Sequence, residues 1–435
     1  MNQLKLTLPE SIATALPVLK RLREHQFEAV FVGGCVRDTV LDLPVKDVDI
    51  ATSARPEQVL ELFERCIPTG LQHGTVTVLS GKSAYEVTTY RRESKYETHR
   101  RPESVQFISS LEGDLQRRDF TMNAMALTEE GGLIDPFKGL EDLKNGVLRC
   151  VGDPNARFQE DALRMLRAVR FIGAYNLRPS QSSWQALIRY RKLMKYIAME
   201  RVLAELDKMM AGKTPERALY FTAASGLLHY LKEPMPEEAV LAVDEAYGNR
   251  CADESFSKLN RLKETDLRWA AVLMSLSLAG DSAEQTLQSL RFSKLRIKTM
   301  ISILSIHKQM LDAAINKDEP SIRLRWVEMI LMYGKKLAGQ WLEIVNALQP
   351  SLLNGLNVHV RRLEDWLDAI SITTLKQLHV SGRELTEHLD RESGPWISEW
   401  LNRLLLEAAL GHLPNEKQAL LEQAESWDKE ETNHE

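Results

Sequence analysis

Asp47 and Asp49, two aspartates separated by a single residue, are the side chains in this sequence best suited to chemistry. They belong to a short apolar stretch that predicts a strand, and side chains two positions apart on a strand point to the same face. Two carboxylates aimed at one point repel each other unless a cation lies between them, and oxygen ligands suit magnesium. Because an Asp-x-Asp pair alone is more often a solvated strand end, a metal site needs support from a second motif.

That second motif is a glycine turn about fifteen residues earlier. Val30–Val32 predicts a strand, Gly33 and Gly34 a tight turn, and the residues that follow a helix carrying Arg37. Backbone N–H groups of a glycine turn and of a helix N-terminus bind phosphate. Together with the aspartates, the turn predicts a site for a nucleoside triphosphate and its magnesium ions.

A third carboxylate is available at Glu86. Residues 75–79 and 85–90 are rich in β-forming side chains and flank the turn 80–83, a pattern typical of a β-hairpin. Glu86 on the second strand lies either on a solvated face or beside the aspartates, where a two-metal site needs it. The polar segment 91–104 lacks helical periodicity, and we expect a mobile loop there, with a surface or a catalytic role.

A charged trio, Arg117, Arg118 and Asp119, leads directly into apolar sequence. Such a trio indicates the edge of a cleft, although a helix cap explains Asp119 equally well.

Beyond residue 148 the pattern is almost wholly helical, so the fold class is α+β. Residues 155–171 predict one amphipathic helix, with Asp161, Arg164 and Arg167 on the half of the wheel opposite the apolar side chains. A solvated face with an Asp161–Arg164 ion pair would explain this pattern if the helix stood alone. The apolar stripes of the later helices predict helix–helix cores.

Length and composition indicate a globular protein of two to four domains, since the chain has 435 residues with 44% hydrophobic and 27% charged side chains. No segment approaches the roughly 18 uninterrupted apolar residues of a membrane span, and the N-terminus lacks signal-peptide features. We therefore expect a cytoplasmic protein with no membrane partner. The four cysteines lie far apart, which argues against disulfides or a zinc site.

The net charge of −5 does not exclude an RNA partner. The last 25 residues contain seven acidic and two basic side chains, and this excess accounts for the whole net charge. The rest of the chain is close to neutral, so local basic patches remain available.

The motifs occur in the order of a known family: Gly33-Gly34-x-Val36-Arg37-Asp38, Asp47-x-Asp49, Glu86, Arg117-Arg118-Asp119-x-x-x-Asn123-Ala124 and Glu160-Asp161-x-x-Arg164-x-x-Arg167. In this the chain resembles the bacterial class II CCA-adding enzymes, which are tRNA nucleotidyltransferases of the DNA polymerase β superfamily. The resemblance implies a polymerase-β-like nucleotidyltransferase head with a small β-sheet. It also implies the domain bounds: head 1–147, followed by an all-α neck 148–211, body 212–320 and tail 321–435.

The resemblance further implies a role for each motif. Asp47 and Asp49 would hold two Mg²⁺ ions, with Glu86 as a third catalytic carboxylate. Asp161 and Arg164 would read the incoming base without a nucleic-acid template. The other nucleotide contacts would come from Gly33, Gly34, Arg37, Arg118, Asp119, Asn123, Arg167 and Arg170. The implied partners are CTP, ATP and tRNA, bound at its 3′ end and elbow, and a homodimer is left open.

The base-reading pair agrees with the chemistry of the bases. Cytosine and adenine both present an amine donor beside a ring-nitrogen acceptor, so one carboxylate and one guanidinium can bind either. Uracil and guanine reverse both groups, and each unpaired group costs about 1–3 kcal/mol. The pair therefore admits CTP and ATP and excludes UTP and GTP, but it cannot separate C from A.

Other activities remain open: a CC-only adder, an A-only adder, a bacterial poly(A) polymerase, or an inactive RNA-binding scaffold. In the family, the segment between the third carboxylate and the Arg-Arg-Asp motif is shortened in CC-only enzymes. Residues 91–104 look full length, which implies competence for the terminal A. The scaffold is disfavoured because every catalytic motif is present.

Overall fold

The computed structural model describes residues 4–93, 96–97, 101–102, 105–248, 256–315, 318–348 and 360–432. The chain forms two compact units, Met1–Met235 and Pro236–Glu435. The first contains the β-sheet, and the described part of the second is helical, so the predicted α+β class is confirmed. None of the described helices is long and apolar enough to cross a membrane.

A seven-stranded mixed sheet is the framework of the first unit. The strands in the described residues are β1 (Ala29–Val32), β2 (Asp49–Thr52), β3 (Cys66–Gly70), β4 (Thr75–Ser80), β5 (Ser83–Thr89), β6 (Arg91–Glu93), β7 (Tyr96–Glu97), β8 (Arg101–Pro102), β9 (Val105–Phe107), β10 (Ala126–Leu127), β11 (Leu133–Ile134), β12 (Val147–Leu148) and β13 (Arg178–Pro179). The sheet has the strand order β11-β10-β1-β2-β5-β4-β3, in which β2 and β5 are parallel and the other neighbours are antiparallel.

The centre of the sheet forms where the sequence is most apolar. Every residue of β1 is buried, and on β2 the fully buried Ile50 follows Asp49. The strand begins at Asp49, so Asp47 precedes it rather than lying on it. The predicted hairpin of β4 and β5 is confirmed, and β5 places Glu86 directly opposite Asp49.

The expectation of a loop at 91–104 is wrong for the described part of that segment. There β6 pairs with β9 and β7 pairs with β8, in two short antiparallel ladders. Charged side chains keep a segment out of a buried core, but they do not prevent strand pairing. The backbone hydrogen bonds of a β-ladder do not depend on apolar side chains.

One helix prediction in the first unit is wrong, because residues 155–171 form two helices and not one. Asp161 is extended, with φ −134° and ψ 106°, and separates two helices. Its carboxylate accepts a hydrogen bond from the N–H of Leu163, and such a bond competes with helix continuation. The helices are α1 (Glu10–Ala13), α2 (Leu16–Glu24), α3 (Gly34–Val40), α4 (Pro56–Leu62), α5 (Leu111–Gln116), α6 (Gly139–Lys144), α7 (Pro154–Glu160), α8 (Leu163–Ala174), α9 (Gln181–Tyr190), α10 (Met199–Met210) and α11 (Pro215–Ser225).

The second unit packs helices on helices, as the apolar stripes predict. Trp326 and Trp341 are fully buried with ring centroids 5.3 Å apart, and another core forms around Leu385 and Trp400. The helices are α12 (Glu237–Gly248), α13 (Thr265–Ser275), α14 (Gly280–Ser289), α15 (Lys294–Ile315), α16 (Glu319–Tyr333), α17 (Lys335–Leu348), α18 (Val360–Ala369), α19 (Gly382–Leu389), α20 (Trp396–Leu410) and α21 (Lys417–Thr432).

Candidate active site

The glycine turn between β1 and α3 brings the backbone close to two charged side chains. Gly33 has a φ of +75°, a backbone conformation that residues with a side chain rarely adopt. A Cβ atom at this position would lie 3.0 Å from Arg118 Nη1 and 3.6 Å from Asp49 Oδ2. Two residues on, burial raises the thiol pKa of Cys35 to about 11, and its Sγ–H donates to the Val32 carbonyl at 3.1 Å. The predicted phosphate turn, an arginine and an aspartate therefore meet at one point.

Asp49 lies in a group of carboxylates with unbalanced negative charge. Burial raises the pKa of Asp49, repulsion from Glu86 and Asp47 raises it further, and Arg118 acts in the opposite direction. In the part of the chain that the structure describes, no three His, Cys, Asp or Glu side chains converge closely enough to hold a metal by themselves. The donors nevertheless fit a divalent cation, because they are hard oxygens with excess negative charge that leave coordination positions for phosphate and water.

Arg37 is buried and held on several sides. Its Nε and Nη2 donate to the two carboxylate oxygens of Asp38 at 2.9 and 3.0 Å, and its Nη1 donates to Asn123 Oδ1 at 2.7 Å. The guanidinium carbon also lies 4.5 Å from the ring centroid of Tyr175, whose hydroxyl donates to Asp38 at 3.0 Å. These charge-assisted bonds fix the orientation of Arg37.

Asp119 continues this network to α8. Its Oδ1 accepts from Asn123 Nδ2 at 3.0 Å, and its Oδ2 accepts from Arg167 Nε at 2.8 Å. Burial alone would raise the pKa of Asp119, but Arg167 and Asn123 hold it well below its ordinary value. The carboxylate thus joins the Arg-Arg-Asp motif to α8, the helix predicted to contact the nucleotide. This role differs from the helix cap that the sequence offered as an alternative for Asp119.

Asp161 and Arg164 lie at the start of α8, and each has a charged partner. Asp161 Oδ1 accepts from the Leu163 N–H and Oδ2 accepts from Arg201 Nη2, both at 3.0 Å. Arg164 Nη1 donates to Glu160 Oε2 at 2.5 Å. Helical spacing proposed Asp161 as the ion-pair partner of Arg164, but the break at Asp161 removes that spacing, and Glu160 binds the arginine.

Arg167 and Arg170 share a buried acid of α10. Arg170 Nε donates to Glu205 Oε2 at 2.6 Å, and Arg167 Nη1 lies 4.0 Å from Glu205 Oε1. Both guanidinium groups lie over the ring of Phe171, at 4.0 Å for Arg170 and 5.3 Å for Arg167. Burial would raise the pKa of Glu205, but Arg170, Arg167 and Lys208 hold it below its ordinary value.

One cavity of about 400 Å³ collects most of the predicted residues. This volume is in the range of small-molecule sites. Asp47 and Glu86 are exposed neighbours of Asp49, outside the lining. The lining consists of Gly33, Gly34, Arg37, Asp49, Arg117, Arg118, Asp119, Asn123, Asp161, Arg164, Arg167, Arg170 and Phe171.

Three charged residues that hold the site were not predicted: Asp114, Arg201 and Glu205. Asp114 accepts from Arg117 Nε at 2.9 Å and from Arg118 Nη2 at 3.2 Å. Its position three and four residues before these arginines was a usable signal for an ion pair. Glu205 lies on the apolar stripe of α10, where a lone acid indicates a buried partner. Arg201 gave no such signal, because it resembles any solvated helix charge.

A glycine turn near carboxylates on a small mixed sheet, with an arginine-lined cavity beside it, is typical of nucleotidyltransferases. The chain is 35% identical over 419 residues to the CCA-adding enzyme of Ligilactobacillus salivarius, covering 96% of this chain and 97% of that one. It is 36% identical over 423 residues to the CCA-adding enzyme of Bacillus velezensis, covering 97% and 100%. The chain belongs to the CCA-adding enzyme family and is a tRNA nucleotidyltransferase.

Family models and a solved structure agree with this assignment. Residues 29–149 match the poly A polymerase head domain, and 176–238 match a probable RNA and SrmB-binding site of polymerase A. Residues 260–424 match the putative domain 2 of tRNA nucleotidyltransferases. The crystal structure of the Bacillus stearothermophilus CCA-adding enzyme in complex with CTP superposes with a TM-score of 0.82 at 30% identity, covering 98% of this chain and all of that one. The resemblance drawn from the motifs is confirmed.

Proposed function

We propose that this enzyme adds C, C and A in turn to the 3′ end of tRNA, with CTP and ATP as substrates and two Mg²⁺ ions as cofactors. The observation that carries the proposal is the shared cavity, which has Asp49 in its lining together with Asp161 and Arg164. A single nucleotide bound there could place its phosphates, with their magnesium ions, beside Asp49 and its base beside Asp161 and Arg164. The curated relatives are named for CCA addition, and the solved relative was crystallised with CTP.

Asp47 and Asp49 would hold the metal ions, with Glu86 as the third carboxylate. Support comes from Asp49, whose pKa is raised by burial and by the neighbouring carboxylates, a condition that a cation relieves. When bound, magnesium stabilises charge on the attacking 3′-hydroxyl and on the departing pyrophosphate. The contribution of the chain itself is orientation, because the pairing of β2 with β5 holds Asp49 opposite Glu86.

The triphosphate would lie along the glycine turn. Gly33 and Gly34 can offer backbone N–H groups at the N-terminus of α3, where the helix dipole also favours anions. Arg118 Nη1 stands 3.0 Å from where a Gly33 Cβ would be, close enough to share a phosphate oxygen with the turn. Arg37 adds a second fixed cation, and Arg118 with Asp119 would meet the ribose.

The base would be read by Asp161 and Arg164. An ionised carboxylate has about four lone-pair positions, so Asp161 can accept from a base amine while it keeps its two protein donors. Arg164, oriented by its pairing with Glu160, would donate to the ring nitrogen. Arg167 and Arg170 on the same helix would contact the nucleotide, with Asn123 linking their network to the phosphate side.

The proposed activity is tested with three tRNAs that end at the discriminator base, at C and at CC. Each tRNA is given CTP and ATP, separately and together. We expect extension by three, two and one nucleotides when both are present, with CTP alone stopping at CC. An A-only enzyme would extend only the third tRNA, and a CC-only enzyme would never add A. A poly(A) polymerase would add runs of A to all three.

An inactive scaffold is tested by nucleotide binding. We expect CTP and ATP, but not UTP and GTP, to bind in a magnesium-dependent manner, whereas a scaffold would show neither metal dependence nor choice.

Two further parts of the proposal follow from the family. We assign the head, neck, body and tail to 1–147, 148–211, 212–320 and 321–435, and we place the enzyme in the cytoplasm. Limited proteolysis at the domain boundaries and cell fractionation would test these assignments.

A further inference from the structure

We propose that Tyr175 is a positioning residue for the triphosphate, acting through Asp38 and Arg37, an inference that rests on the proposed function. Tyr175 directly follows α8, and its side chain is half-buried. Its hydroxyl donates to Asp38 Oδ1 at 3.0 Å, and its ring centroid lies 4.5 Å from the guanidinium carbon of Arg37. One side chain thus contacts both members of an ion pair on α3.

The ion pair of Arg37 and Asp38 needs an anchor outside α3. The two residues are neighbours in sequence on this seven-residue helix, and adjacent positions on a helix do not face each other. Both side chains bend around the helix to form their two hydrogen bonds, so neither fixes the other relative to the rest of the site. Asn123 binds one nitrogen of Arg37, while Tyr175 binds the carboxylate and covers the guanidinium.

The hydroxyl of Tyr175 remains a donor at neutral pH. Burial raises the pKa of Tyr175 to about 12, so the phenol stays protonated. The oxygen that accepts its proton, Asp38 Oδ1, also accepts from Arg37 Nε at 2.9 Å. Hydrogen bonds to a charged group are stronger than neutral ones, and here the phenol holds the carboxylate that in turn holds the guanidinium.

Arg37 retains donors for a ligand. A guanidinium carries five N–H donors, and Asp38 and Asn123 accept from three of those of Arg37. The other two, one on each terminal nitrogen, have no hydrogen-bond partner among the residues that the structure describes. Nη2 lies 3.5 Å from where a Cβ at Gly34 would be, and both residues line the cavity. The fixed guanidinium can therefore donate to an anion bound at the glycine turn.

Helix α8 separates this contact from the base-reading pair. The helix has 12 residues and is about 18 Å long. It begins two residues after Asp161 and ends directly before Tyr175, so its two ends serve different parts of the nucleotide. Loss of the Tyr175 hydroxyl should therefore weaken the binding of every triphosphate alike and leave base choice unchanged.

The test uses Tyr175→Phe, which removes the hydroxyl and keeps the ring. The matched control is Tyr230→Phe, because the Tyr230 ring also lies under an arginine, Arg191 at 5.4 Å, but its hydroxyl has no hydrogen-bond partner in the described residues. We expect Tyr175→Phe to raise KM for CTP and ATP alike by roughly three- to tenfold, with little change in kcat or in the CTP:UTP ratio of kcat/KM. The control should change none of these values.

Inorganic pyrophosphate with magnesium is the direct probe, because it carries phosphate charge and no base. Its dissociation constant, measured by calorimetry, should rise in Tyr175→Phe by the same factor as KM. If Tyr175 acts through Arg37, then Arg37→Met combined with Tyr175→Phe should bind pyrophosphate no more weakly than Arg37→Met alone.

Three results would each overturn the proposal: multiplicative losses in the double variant, unchanged pyrophosphate binding in Tyr175→Phe, or a changed CTP:UTP ratio. Thermal unfolding checks the fold, and Arg37→Gln replaces the Met variant if that one is unstable. Failure of the unaltered enzyme to add C or A would instead reject the proposed function, since pyrophosphate binding is measured without transfer.

Discussion

The two ends of the cavity differ in how their acidic side chains are neutralised. At the sheet end, Asp49 is surrounded by Glu86 and Asp47, and its pKa is raised by burial and by these neighbours. At the α8 end the acids have cations, as in Asp119 with Arg167 and Asp161 with Arg201. At the sheet end Arg118 offsets only part of this negative charge, whereas the α8 end is preorganised by ion pairs of the chain itself.

The sharpest way to break this comparison is Asp49→Ala. If Asp49 holds a metal ion as proposed, its removal should lower kcat by about a thousandfold or more, because a bound divalent metal supplies several kcal/mol of transition-state stabilisation. Binding of tRNA should change little. Single-turnover extension and a tRNA binding assay measure the two, with the exposed Asp365→Ala on α18 as control. Transfer that survives in the variant would refute the metal assignment.

At the α8 end, Asp161→Asn or Arg164→Met should alter choice before it abolishes transfer. Each removes one contact that the wrong bases cannot make, so the CTP:UTP ratio should fall by roughly ten- to a hundredfold. The ratio comes from kcat/KM with CTP and with UTP on tRNA lacking CCA. Unchanged rejection of UTP would exclude both residues as base readers.

Stability should also differ between the two ends. Asp119→Ala leaves Arg167 without its main partner and should destabilise the protein by about 3 kcal/mol in denaturant unfolding. Because the pKa of Asp119 is lowered in the folded state, this stabilisation is complete above the ordinary Asp pKa of about 3.9 and is lost as pH falls towards the lowered value. Asp49→Ala should not destabilise the magnesium-free protein, since ionised Asp49 opposes folding at neutral pH. Equal losses from both variants would contradict the comparison.

The smallest effect is expected at the glycine turn. Gly33→Ala and Gly81→Ala both place a side chain at positive φ, +75° and +62°, and each should cost about 1 kcal/mol of stability. Only the Gly33 methyl would meet Arg118, because nothing lies within 4 Å of a Cβ at Gly81. A severalfold rise in KM for CTP confined to Gly33→Ala would place the triphosphate at the turn, and equal KM values would not.

The sequence predicts the two ends of the cavity unequally. The glycine turn, the Asp-x-Asp pair and the hairpin with Glu86 are local patterns, and strand alternation with a parallel register brings them together. The break at Asp161 was missed because 155–171 has helical periodicity without an internal glycine or proline. It is favoured by bonds to Leu163 and to Arg201, and the second comes from a distant helix that no local pattern connects.

The phosphate turn also contains a sulfur atom, that of Cys35 at the second position of α3. A helix N-terminus usually makes a thiol acidic and reactive, but here burial is the larger effect and raises the pKa to about 11. At neutral pH such a thiol stays protonated, and only the thiolate reacts readily with peroxide or alkylating agents. The turn should therefore keep its chemistry under oxidative stress, although a cysteine lies beside its glycines.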